Sequence, residues 1–231
     1  MARRKRIQEA HLIYHVMARG NGRMTIFEDD HDYRCFMTLF GEAMEDFEIE
    51  CWNYCLMPNH YHATLQPTQP NLSSAMQRLN GTYAQRWNKR HNHVGHVFQG
   101  PFKDQIVQRE GYLEELCRYV ALNPRRASLV SEPEEWPWSS YGAIVGTCAG
   151  PSFLNAAATL NLFGPGEVGV LQAAFREFVC GDPNKVLEER FRSKDRIIGD
   201  RSFRAGLRPW STPISIQTHG LRGGLREPAR A

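Results

Sequence analysis

Two histidines one residue apart, His60 and His62, stand in the stretch CLMPNHYHATLQP (residues 55–67), where an apolar run resumes after Pro58-Asn59. In an extended segment residues i and i+2 share a face, so both imidazoles project one way and Tyr61 the other. Neutral imidazoles placed like this can share one cation. Zinc would take a third protein ligand and keep an open position, whereas magnesium or manganese would accept oxygen ligands and water. A pair of surface histidines on an edge strand would show the same spacing, so the pair by itself leaves both readings open.

A third donor can be sought in GYLEELCRYVALNP (residues 111–124), which has helical spacing and should end at Pro124, because proline disfavours the α conformation of the residue before it. Tyr119 and Asn123 stand four apart and would share a face. A carboxamide oxygen at Asn123 could join the imidazoles, with the Tyr119 phenol beside the cation as a nucleophile next to a Lewis acid. Tyr112, Leu116, Tyr119 and Asn123 also trace one helical stripe, which equally suits a core aromatic. A rival pair, His91 and His93, lies in a polar loop at a helix end and is set aside.

The elements that must position these groups read as an α+β fold. HLIYHVMAR (11–19) alternates and stops at Gly20-Asn21-Gly22, as a strand does before a turn. Phe36, Leu39, Phe40, Ala43, Met44 and Phe47 recur at helical spacing after a run of acids, so a helix begins near Asp30. Residues 49–57 and 60–67 form an antiparallel hairpin around Pro58-Asn59. Residues 71–91 form a second helix, with Asn71 or Ser73 as cap, and PFKDQIVQR holds a further strand. EEWPWSSYGAI folds back over the domain. The expectation is a central antiparallel sheet of four to five strands with helices packed on it. A boundary falls near residue 147, so residues 1–147 form the main domain and 148–231 a small helical extension with a frayed tail past about residue 207.

Composition narrows the functional classes. The 231 residues carry 42% hydrophobic and 23% charged side chains and a formal net charge of +3, an ordinary globular balance in which bulk charge does not identify a partner. The basic residues are clustered, however. Arg86, Lys89 and Arg90 lie three and four apart on the second helix, Lys103 follows Phe102, and Arg125-Arg126 directly follows Pro124. Cations with interleaved aromatics, here Trp87, Phe98 and Phe102, suit phosphates and unpaired bases. Arg3 to Arg6 could add a DNA-contacting or merely solubilising arm. No apolar run spans a bilayer and no h-region follows the basic start, so a cytoplasmic, nucleoid-associated protein is expected. Six cysteines without a CxxC pair read as reduced thiols. There is no Gly-Lys phosphate loop of the Walker kind.

Five blocks, RGNGRMTIFEDD, YCLMPNHYHATL, LNGTYAQRWNKRH, GHVFQGPFK and YLEELCRYVALNPRRASLV with WPWSSY, resemble in order and spacing the REP-associated tyrosine transposases of the single-tyrosine HUH superfamily. The resemblance covers about residues 6–146, with a fainter likeness around RIIGDRSF. It implies an HUH-nuclease-like fold with His60, His62 and Asn123 as ligands of Mg2+ or Mn2+ and Tyr119 as nucleophile. The implied activity is cleavage and rejoining of single-stranded hairpin DNA of the REP type through a 5'-phosphotyrosine, by a monomer or homodimer. Tyr61, between the histidines, is bulkier and more polar than an aliphatic residue there. Two other readings stand beside this one. They are a non-catalytic regulator that binds hairpin DNA or RNA on the same fold, and a metal hydrolase of small molecules that uses His60 and His62 with water.

Overall fold

The computed structural model describes residues 6–207. The expected basic arm, apart from Arg6, and the expected tail lie outside the described residues. Strands β1 (Ile13–Arg19), β2 (Ile49–Met57), β3 (His60–Pro67), β4 (Lys103–Val107) and β5 (Ile197–Ile198) form one sheet in the order β2-β3-β1-β4-β5. The first four are antiparallel to their neighbours, while β5 runs parallel to β4, so the sheet is mixed and its last strand comes from the C-terminal region.

One face of the sheet carries Tyr14, Val16, Ala18, Leu56, Tyr61 and Leu65, all buried against α1 (Asp30–Asp46) and α2 (Leu72–Arg90). The helical spacing seen in the sequence is what turns Phe36 and Phe40 of α1, and Met76, Leu79 and Tyr83 of α2, onto this face. Asp29 caps α1 by accepting from the backbone N–H groups of His31 and Asp32 at 3.0 and 3.2 Å. Asn71 precedes α2 but caps nothing with its side chain. Its amide instead donates to the Phe47 carbonyl, tying the end of α1 to the start of α2.

The opposite face carries Ile13, Cys55, Met57 and Val107, packed against α3 (Leu113–Ala121), α7 (Val168–Cys180) and α8 (Lys185–Arg192). Phe175, Val179 and Phe191 are fully buried there, so residues beyond 147 help to build the second core. Arg118 of α3 fastens this region by donating to the carbonyls of Phe178 and Asp182 at 2.8 and 2.9 Å. Two short helices, α5 (Tyr141–Ile144) and α6 (Ala156–Leu160), close the β2 end, and α9 (Arg201–Gly206) follows β5. The EEWPWSSYGAI segment does fold back: Leu56 N–H donates to the Trp138 carbonyl and Ser140 N–H to that of Tyr54, so β2 is not left as an open edge.

The helix expected to run to Pro124 ends earlier. It stops after Ala121, and Pro124 lies in the first turn of a separate short helix, α4 (Asn123–Arg126). Proline has no N–H to give to the Val120 carbonyl, and the chain bends there. The six cysteines are free. Among the described residues no helix is long and apolar enough to cross a membrane.

Candidate active site

The register of the sheet brings the histidines together. Met17 of β1 pairs with His62 and Arg19 with His60, while His15 pairs with Thr64 on one side and Gln105 on the other. His15, Met17, Arg19, His60, His62 and Gln105 therefore share the face that α3 covers. Above it opens a cavity of about 640 Å³, lined among others by His60, His62, Tyr119 and Asn123. The two halves of the proposed centre, on β3 and on the α3–α4 bend, thus meet in one place.

His62 is 4% exposed and bonded through Nδ1 to His15 Nε2 at 2.9 Å, and His15 Nδ1 reaches Gln105 Oε1 at 2.9 Å. The rings of His15 and His62 stack with centroids 5.1 Å apart. His60 uses Nδ1 on Asn59 Oδ1 at 2.6 Å. Burial pushes the pKa of His15 and of His60 down to about 4, and that of His62 well below the usual histidine value, so all three imidazoles are neutral at physiological pH. Neutral imidazole is the form that ligates a metal.

Tyr119 is 5% exposed, and its ring stands edge-on to His62 at 5.6 Å and to His15 at 5.7 Å between centroids. Burial raises the pKa of its phenol. Arg192 opposes that shift by its charge and by a hydrogen bond, and Arg126 and Arg19 oppose it by charge. The Asn123 amide donates to the Tyr119 and Val120 carbonyls at 2.9 and 3.4 Å, and Arg126 Nη1 donates to the Tyr119 carbonyl at 2.9 Å. Because Asn123 spends its NH2 on the end of α3, its Oδ1 is the end with no hydrogen-bond partner among the described residues.

The donor set fits a divalent cation. His60 Nε2, His62 Nε2 and Asn123 Oδ1 are each the unbonded end of a side chain whose other end is held, and all three residues line one cavity. Among the described residues no cluster of three His, Cys, Asp or Glu side chains could hold a metal, and the carboxamide of Asn123 is a donor outside those types.

The basic residues divide between two places. Lys103 and Arg126 line the cavity, and Arg126 also pairs with Glu188 of α8. Arg86, Lys89 and Arg90 line a separate groove beside α1, where Arg90 is bound by Asp29 and Asp32 at 2.5 and 2.6 Å. Arg125 lies in the last turn of α4. Sequence reasoning missed His15, Asn59, Gln105, Arg19 and Arg192. The period-two alternation of β1 placed His15 and Arg19 on one face, but only strand register shows that this is the face of His60 and His62. Nothing local in the sequence marks Arg192.

Residues 8–123 match the model of the family described as transposase, IS200-like. No curated protein matches the chain. Among solved structures, the chain is similar to a REP-associated tyrosine transposase bound to a REP hairpin, with 15% identity, a TM-score of 0.55, and coverage of 73% of this chain and 93% of that one. A "putative transposase" from Deinococcus radiodurans R1 aligns with 16% identity, a TM-score of 0.37, and coverage of 55% and 92%. The first similarity is one of fold. The family match is one of sequence, and because it runs through both histidines, Tyr119 and Asn123, and takes in half of the chain, this protein belongs to the IS200-like transposase family.

Proposed function

We propose that the protein cleaves and rejoins single-stranded, hairpin-forming DNA of the REP-like palindromic type, with Tyr119 as nucleophile. The observation that carries this reading is the meeting of a buried phenol with two neutral imidazoles and a carboxamide oxygen around one cavity. His60, His62 and Asn123 would hold Mg2+ or Mn2+. Such a cation polarises a phosphate oxygen and offsets the charge that develops in phosphoryl transfer.

The chain's own residues supply the rest. The Tyr119 phenol is protonated at neutral pH, and Arg192, with Arg126 and Arg19, favours its phenolate as the proton leaves. Attack on the scissile phosphate forms a Tyr119–phosphate bond and breaks the bond to the 3' oxygen, which leaves as a free hydroxyl. The 5'-phosphotyrosine keeps the phosphodiester's energy, so a 3'-hydroxyl of another strand can reverse the step. Arg19 and Lys103, which have no acidic partner among the described residues, are available to scissile-strand phosphates beside Arg125 and Arg126. Arg86 and Lys89 would contact DNA at a distance from the reacting bond, whereas Arg90 is held by Asp29 and Asp32.

A single-stranded hairpin oligonucleotide from the DNA flanking the gene, incubated with Mn2+, should give a protein–DNA adduct stable to denaturing electrophoresis. Tyr119→Phe should give none, and an adduct that persists in that variant would remove Tyr119 from the mechanism.

A further inference from the structure

Three carboxamides around the site have their NH2 ends fixed by main-chain carbonyls, which can only accept. Gln105 Nε2 donates to the Arg190 and Asp195 carbonyls at 3.1 and 2.9 Å. Asn59 Nδ2 donates to the Arg23 carbonyl at 3.2 Å, and Asn123 Nδ2 to those of Tyr119 and Val120. A flipped amide would set oxygen against oxygen in each case, so the orientation follows from donor and acceptor counting alone.

The protons of the histidines follow in turn. Gln105 presents Oε1 to His15 Nδ1, so that nitrogen must carry a hydrogen. His15 is fully buried and, among the described residues, hydrogen-bonded only to Gln105 and His62, with no carboxylate to offset a charge, hence its Nε2 holds a lone pair and can only accept, and the hydrogen between the rings belongs to His62 Nδ1. His62 is then left with a lone pair on Nε2. By the same steps Asn59 Oδ1 requires a hydrogen on His60 Nδ1, which leaves His60 Nε2 as a lone pair. A close approach supports the Asn59 anchor: a Cβ on Gly20 would meet the Met24 carbonyl oxygen at 2.2 Å, so only glycine there lets the turn that bears the Arg23 carbonyl fold down beside β3.

We propose that Asn59, and His15 together with Gln105, are positioning residues that lock His60 and His62 as Nδ1–H tautomers and so aim both Nε2 lone pairs at the divalent cation. The proposal rests on the reading of His60 and His62 as metal ligands. It assigns to the segment 190–195 a task in the site, since two of its carbonyls hold the amide from which the longer relay starts. Partners of this kind fix ring orientation and raise ligand basicity, and losing one typically weakens metal binding about 10- to 100-fold.

The test uses the full-length, metal-free protein labelled with 15N-histidine. Long-range 1H–15N correlation should show His15, His60 and His62 each protonated at Nδ1 and bare at Nε2, a result that needs no variant and that a merely space-filling His15 would not impose. Gln105→Leu should give mixed tautomers at His15 and His62 and about 10- to 100-fold weaker Mn2+ binding by titration calorimetry, while Asn59→Ala should release His60 alone. A proton on Nε2 of His60 or His62 in the wild type would overturn the proposal, as would a Gln105→Leu protein with unchanged tautomers and unchanged Mn2+ affinity. Wild-type protein with the expected tautomers but no Mn2+ binding would instead overturn the metal reading and leave the hydrogen-bond relay standing.

Discussion

Asp32 is buried, with its side chain 3% exposed, and Arg90 and His91 both reach it, Arg90 at 2.6 Å. Arg90 also holds the Asp29 carboxyl down to about 2. Its neighbour Lys89 makes no ion pair among the described residues. The two cations therefore separate under mutation. Arg90→Ala should lower the urea midpoint, because it strips a buried carboxylate of its strongest partner. Lys89→Ala should leave the midpoint unchanged and reduce the slope of log K against log salt for hairpin binding by about 1. The Asp29 carboxyl has a lower pKa in the folded than in the unfolded chain, so its share of the Arg90 effect is present above about pH 4 and fades as pH falls toward 2. Denaturation curves at pH 7 and pH 3, with salt-dependent binding, check both statements. Helical spacing revealed that Arg86, Lys89 and Arg90 share a region of α2, but not that one of them is committed to acids on α1, because that pairing depends on how two helices lie across a sheet.

The bend between α3 and α4 sets Tyr119 against Asn123. The sequence shows the proline and the four-residue spacing, and hence the elements on which both residues sit. It does not show that the helix breaks at Leu122 and that the Asn123 amide fills the place of the missing proline N–H. Asn123→Ala should therefore fray the last turn of α3 and cost about 1–2 kcal/mol in urea denaturation without metal, beyond any loss of a ligand. The hairpin β2–β3 was legible to the residue, since Pro58-Asn59 separates two apolar runs and its turn is tight. The fifth strand was not. Ile197 and Ile198 are too short a run to stand out, and they pair only because β4 offers a free edge.

At the scale of the whole molecule the sheet has two cores, and residues beyond 147 close the one over the site. Phe191 of α8 is fully buried and lies 5.5 Å from the Tyr119 ring and 6.2 Å from His15 between centroids. Phe191→Ala should cost about 3–5 kcal/mol, read from the urea midpoint, and should loosen Tyr119 as well. The small residues, glycines and prolines after 147 gave the region an accessory look in sequence, because its apolar residues are spread over short helices that gain meaning only against α3. The Gln105 amide has its own long reach, to a carbonyl 90 residues downstream. A chain being made on the ribosome thus displays Tyr119 and both histidines well before the groups that orient His62 have been synthesised. On the metal reading proposed above, the full orientation of His62 toward a cation is deferred until translation has passed residue 195.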